Sequence, residues 1–265
     1  MADKIQPGRF KNGAQSLEQI ANYIQLYGNQ DDAFIVQKFG ENQDVDSAAI
    51  EDIWSYGGVR PKPGDAELFN IVSTSTNDTA AGTGARLVLV SGLDENYNVQ
   101  EEYVSMNGTS NVSTVNTYRN INRLLVATVG SAEANQGAIT ATGATSTNVM
   151  AEIPTSYNIT QQSHYQVPDG YIGYIKNLTI SSYKADGSGT RQSEISLWMQ
   201  IPGFAEYRTF VYGVNSATQT VPALAGTIVR PKSLIWFEAN AASNNTSVAA
   251  QYEVVCIRDD WVRTP

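Results

Sequence analysis

One imidazole is available for acid–base work. His164 stands in Gln161-Gln162-Ser163-His164-Tyr165, so any Ser-His-Asp or Cys-His constellation would have to be built on it. No G-x-S-x-G elbow marks an activated serine. The surrounding residues read as a strand, in which a histidine is solvent-exposed or hydrogen-bonded to a neighbouring strand. The single cysteine, Cys256, lies in Tyr252-Glu253-Val254-Val255-Cys256-Ile257, an apolar run without an adjacent base, and a buried, inert thiol is expected. One cysteine also excludes an intrachain disulfide and a multi-cysteine zinc site.

Paired carboxylates could serve a glycosidase. Asp94 with Glu95, Glu101 with Glu102, and Asp259 with Asp260 are the adjacent pairs. Neighbours in a strand point to opposite faces, so such pairs read as solvated surface charge. Asn42-x-Asp44-x-Asp46 and Asp94-x-Asn96-x-Asn98 begin like oxygen-ligand loops for calcium. Neither has glycine at the sixth position or an acid at the twelfth. Gly82-Thr83-Gly84 is not followed by the Lys-Ser/Thr of a phosphate loop. Fourteen tyrosines and four tryptophans could line a sugar site, although tyrosine is equally a strand and interface residue. No catalytic, cofactor-binding or metal-ligating residue is assigned, and no cofactor is expected.

The composition narrows the partners. Seventeen basic and 26 acidic side chains leave a net charge of −9, with only 16% of the 265 residues charged. Without a basic run there is no footprint for nucleic acid. No stretch approaches 18 apolar residues and the first residues lack a secretory core, so a protein folded in the reducing cytoplasm, with no membrane, is expected.

The elements divide at Pro61-Lys62-Pro63-Gly64. Before it, Ser16-Leu17-Glu18-Gln19 fits a capping box. Leu17, Ile20 and Ile24 then share one helical face, with Gly28 as the stop. An apolar patch containing Phe34 and Ile35 follows, then irregular residues 40–46, then one possible turn reaching Trp54. Residues 1–64 are therefore expected to be an arm with a short amphipathic helix. Its anchoring residues would be Leu17, Ile20, Ile24, Phe34, Ile35 and Trp54.

Beyond residue 64 the runs are short and rich in Val, Ile, Thr and Tyr. Strands are predicted at 67–74, 85–91, 98–106, 119–129, 137–142, 148–153, 158–167, 171–183, 191–201, 207–214, 227–230, 233–239 and 247–258. The expected fold is mainly β, an antiparallel β-sandwich of jelly-roll type over residues 65–265, with possible sub-sandwiches 65–155 and 156–265. Ile195, Leu197, Met199 and Ile201 alternate with polar positions, as in a half-buried strand. Arg86 to Val90 lacks alternation and reads as buried on both sides. Trp198 falls on the polar face, where the arm, a loop or a neighbouring subunit should cover it.

Several motifs resemble structural proteins of tailed bacteriophages, of the short-tailed and marine kind. They are Lys38-Phe39-Gly40-x-Asn42-x-Asp44-Val45-Asp46, Glu51-Asp52-Ile53-Trp54, Gly57-Gly58, Ser73-x-Ser75-x-Asn77-Asp78-Thr79, Gly82-Thr83-Gly84-Ala85-Arg86, Gly92-Leu93-Asp94, Asn107-Gly108-Thr109, Asn135-x-Gly137-x-Ile139 and Val167-Pro168-x-Gly170. The resemblance lies in their order over roughly residues 38–175. It implies a non-enzymatic virion component assembled in the host cytoplasm, a capsid decoration or head–tail accessory protein. Its partners would be major capsid, portal or tail proteins and copies of itself, as a homotrimer. The alternatives are a receptor- or glycan-binding fibre module of the same particle and, third, a glycan hydrolase.

Overall fold

The computed structural model describes residues 21, 24, 28–29, 32–47, 49–184, 191–221 and 227–262. In chain order the strands are β1 (Ala33–Val45), β2 (Ile50–Asp52), β3 (Phe69–Ser73), β4 (Ala85–Leu93), β5 (Val99–Ser105) and β6 (Val112–Ser113). Next come β7 (Asn120–Val129), β8 (Ile139–Gly143), β9 (Val149–Ile153), β10 (Tyr165–Gln166), β11 (Tyr171–Lys184) and β12 (Gln192–Gln200). The series ends with β13 (Tyr207–Asn215), β14 (Thr218–Val221), β15 (Ile228–Val229), β16 (Leu234–Ala241) and β17 (Thr246–Arg258), followed by a helical turn α1 (Asp259–Val262). The chain is mainly β and its strands pair antiparallel, as the short Val/Ile/Thr/Tyr runs predict.

The larger unit has two sheets. One runs β1-β17-β11-β14, with β15 also on β11; the other runs β10-β16-β12-β13, with β2 also on β16. They share one core. Ile195, Leu197 and Met199 of β12 enter it in strict alternation, and β17 contributes Val248, Ala250, Tyr252, Val254 and Cys256. Along β11 the inward phase changes from Ile175 to Leu178 and Ile180. A bulge between Lys176 and Thr179 causes this, with Asn177 at φ 54° as the extra residue. Each large aliphatic side chain buried this way contributes about 1.5–3 kcal/mol.

The smaller unit is inserted between β2 and β10. Its sheets, β6-β3-β8-β9 and β5-β4-β7, enclose Phe69, Ile71, Val88, Val90, Tyr118, Ile121, Leu124, Ile139 and Ile153. At one end the buried Asp78 carboxylate accepts hydrogen bonds from Ser73 Oγ and from the N–H groups of Ala85, Gln136 and Gly137, at 2.6–2.9 Å. That single side chain ties the 74–84 loop to the 130–138 loop. β4 is not buried on both sides: Val88 and Val90 enter the core, but Leu87 and Leu89 are half-buried on the other face. Leu89 instead lines a cleft of about 510 Å³ between the smaller unit and β1, which is why the run is apolar without alternation.

The arm boundary expected at residue 64 is corrected from residue 33 onward. β1 pairs along β17, from Ala33 opposite Ile257 to Val45 opposite Thr246, and β2 pairs with β16. Both are strands of the larger unit. β1 escaped its sequence pattern because Lys38, Gly40 and Asn42 occupy buried positions where apolar residues would signal a strand. Gly40 is required there: a Cβ would lie 2.4 Å from Ile53 O and from Ser163 N. Of the helix expected after Ser16, Leu17 and Ile20 lie outside the described residues. Ile24 is buried with Ala21 against Ala33, Val255 and Ile257, on the opposite face of β17 from the main core.

Candidate functional site

The chemistry-bearing side chains gather where the two units meet. His164 immediately precedes β10, Trp236 lies on β16, Trp198 on β12 and Arg208 on β13. Register places Trp198 opposite both Trp236 and Arg208, so the side chains form one row across the sheet. The His164 and Trp236 rings are stacked at 6.5 Å, and Trp236 stacks on Trp198 at 6.2 Å. Trp54 meets the other side of His164 edge-on at 6.2 Å. Cations cover the row: Lys62 Nζ lies 3.3 Å from the Trp236 centroid and the Arg208 guanidinium 6.0 Å from that of Trp198.

Beneath the row is a buried ionic network. His164 Nε2 donates to Asp52 Oδ2 at 2.9 Å, and the Arg60 N–H donates to the same oxygen at 2.8 Å. The Arg60 side chain crosses into the smaller unit, donating to Met150 O at 2.8 Å, Asn120 Oδ1 at 2.7 Å and Ile121 O at 3.1 Å. Lys38 Nζ donates to Asn122 O at 2.7 Å, and Gln162 Nε2 to Ile121 O and Asn122 O. Burial drives the His164 pKa down to about 4 against the pull of Asp52, so the imidazole is neutral at pH 7. Burial raises the Asp52 pKa, but His164, Lys62 and the Arg60 N–H outweigh it and hold the carboxyl below its ordinary value. Burial, with Arg123 and Arg60 nearby, pulls Lys38 well below the usual lysine range.

This geometry joins units; it does not assemble a triad. Ser163 faces the other way, accepting from the Phe237 N–H at 3.1 Å, while Tyr252 Oη donates to Ser163 O at 2.5 Å. Asp52 holds Nε2 of the ring, and no serine or cysteine is hydrogen-bonded to Nδ1, which is buried without a partner among the described residues. The histidine is buried and carboxylate-bound, not the exposed or strand-bonded residue that its neighbours suggest.

The residues singled out from sequence fall in three places. Phe34 and Ile35 are half-buried on β1 and line the inter-unit cleft. Trp54 is buried, its Nε1 donating to Gly58 O at 3.0 Å. These three, with Ile24, are engaged in the chain's own fold instead of on a free arm. Trp198 is half-buried and covered by Trp236 and Arg208 of its own sheet. Cys256 is fully buried, its thiol pushed up to about 12 by burial, with Tyr165 Oη at 3.6 Å. Asp94 accepts the N–H groups of Asn96 and Asn98, both at 2.8 Å, and caps its own turn. Glu102 holds the N–H groups of Val115 and Asn116. Asp52, Arg60 and Lys62 were missed as a group; the one signal for them is a cluster of opposite charges flanking Gly57-Gly58.

No protein-family model matches the chain, and no curated protein is found similar to it in sequence. Among solved structures, that of infectious bursal disease virus Gt strain aligns at 10% identity over 86% of this chain and 73% of that one. The TM-score is 0.21, a similarity too low to establish a shared fold.

Proposed function

We propose that the chain is a non-enzymatic structural protein of a tailed-bacteriophage virion, a capsid decoration or head–tail accessory protein that self-associates through its β strands. The observation that carries the reading is β13. Among the described residues this strand ends its sheet, and Val214 alone among its nine residues is fully buried. Tyr207, Val211 and Tyr212 are exposed on it, and Phe204 just before it is 65% exposed. Natural edges are blunted by lysine, proline or inward charge; β13 has one charged residue, Arg208, at its second position. A copy of the same protein is the partner that such a neutral, apolar edge suits.

The larger unit is, in this reading, a jelly roll. With β2 and β10 sharing one position beside β16, the sheets run β1-β17-β11-β14 and β2/β10-β16-β12-β13. That is the order of eight strands wound as two Greek keys. Jelly rolls serve in capsid and lectin domains, which favours an assembly role over catalysis. The ordered motifs that resemble those of phage structural proteins favour the same reading. The anchoring segment of the reading narrows to residues 1–20, since Ala21 and Ile24 pack on β17.

Native mass of the full-length protein tests self-association. A trimer is expected, and Val211→Lys should convert it to a folded monomer. A monomeric parent protein overturns the reading. Deleting residues 1–20 should leave the oligomer intact but excluded from particles, and undiminished incorporation would refute the anchor.

A further inference from the structure

Two residues hold left-handed backbone where glycine would be the unstrained choice, and their side chains meet. Tyr97 has φ 65° and closes the turn from Asp94, its N–H donating to Asp94 O at 3.1 Å. Lys232 has φ 67° in Arg230-Pro231-Lys232-Ser233, a turn closed by the Ser233 N–H on Arg230 O at 3.2 Å. Proline followed by a left-handed residue is the type II pattern, which favours glycine or asparagine at the second place. Bulky side chains retained at such positions point to a use for the side chain itself. Lys232 Nζ lies 5.5 Å from the Tyr97 ring centroid, and the Arg119 guanidinium lies 4.9 Å from it. Two cations from different units thus converge on one ring in a protein of net charge −9.

Tyr97, Arg119 and Lys232 line a cavity of about 190 Å³ at the junction, together with Gln166 and Gln200. Its walls carry unused hydrogen-bonding capacity of both kinds. Arg119 Nη1 donates to Gly64 O at 2.7 Å and Gln166 Nε2 to Lys232 O at 3.0 Å. Arg119 Nε and Gln166 Oε1 are buried with no partner among the described residues. Gln166 is only 5% exposed, so its free oxygen is not a surface group. Each cation has one acid near it, loosely held: Asp65 reaches Arg119 only at 4.0 Å, from an exposed position. Asp169 pairs with Lys232 at 3.0 Å where both are well solvated, and such pairs are weak.

An orphaned cationic donor beside an orphaned acceptor asks for a ligand with an anionic acceptor and a hydroxyl donor. Sulfate offers acceptors alone, and a neutral sugar leaves the cations with only these weak, solvated pairs. We propose that this cavity binds a sugar acid, the uronate residue of an acidic glycan. Its carboxylate sits between Arg119 and Lys232, a ring hydroxyl donates to Gln166 Oε1, and the ring lies beside Tyr97. The site stands whether or not the protein is a virion component.

Isothermal titration of the full-length protein with galacturonate, its oligomers, neutral glucose oligomers and sulfate tests this. Galacturonate or its oligomers should bind and the other two should not; binding of the monomer identifies a free sugar acid as sufficient, and binding of oligomers alone identifies the polymer. Tyr97→Gly and Lys232→Gly should each weaken binding about tenfold or more while keeping or raising the thermal midpoint, because glycine relieves the left-handed backbone. Absence of uronate binding at millimolar concentration, equal binding of sulfate, or unchanged affinity in both variants overturns the site. A lowered thermal midpoint in both variants overturns the argument from strain.

Discussion

Acidification from pH 7 to 5 should destabilise this protein through one residue. His164 is the sole histidine of the chain, and burial holds its folded pKa at about 4 against an ordinary value of 6.5. The unfolded chain therefore takes up a proton that the folded chain refuses. Stability is lost as pH falls below 6.5, and the loss levels off only near pH 4. Weighing the two protonation equilibria gives about 2 kcal/mol lost between pH 7 and pH 5. Asp52 adds nothing in that window, because its depressed pKa makes its contribution vanish only below the ordinary carboxylate range. Glu238 and Glu152, both raised by burial, protonate first in the folded state and oppose the trend. The comparison must therefore be made against His164→Gln, whose amide can still donate to Asp52. Urea unfolding followed by tryptophan fluorescence should show the parent's midpoint falling by about 1 M more than the variant's over this range. Parallel pH profiles for the two proteins, or a native imidazole that titrates near 6.5 by NMR, would refute the buried-pair argument.

Arg60→Met removes three charged hydrogen bonds into the smaller unit and leaves Asp52 less compensated. A loss of about 3–5 kcal/mol is expected in denaturant unfolding, and less than 1 kcal/mol would show that the network does not hold the junction. Asp78→Ala should cost about 3 kcal/mol by stranding three N–H groups and a hydroxyl, read as loss of amide-exchange protection in the 74–84 and 130–138 loops. The Cys256 thiol, fully buried and pushed up to about 12, should resist thiol reagents in the native state and react at once in urea; native labelling at the denatured rate would contradict its place in the core.

Much of the fold was legible because most strands obey simple rules. β12 announces itself by Ile195, Leu197 and Met199, and β17 by its long apolar run. β1 was illegible because its inward face carries Lys38, Gly40 and Asn42, chosen by the junction they meet, not by hydrophobicity. β6 and β14 are too short to show a period. The site was harder still. His164 and Asp52 are 112 residues apart, and no local pattern pairs them. Lys232 could have been noticed, since Pro231 sets up a turn whose next residue is ordinarily glycine. Tyr97 could not, because its backbone depends on how Asp94 folds its own loop.

The partnership of β1 with β17 also sets an order of events during synthesis. Ala33 finds its partner at Ile257, so the first strand must wait for nearly the whole chain to emerge. The smaller unit, with every pairing inside it local by comparison, can close long before. A product cut short before Thr246 would carry a finished insert on an unzipped host sheet, its thirteen-residue first strand bare along both edges. Completion of the last strand is thus the step that pairs one of those edges and closes the core between the host sheets.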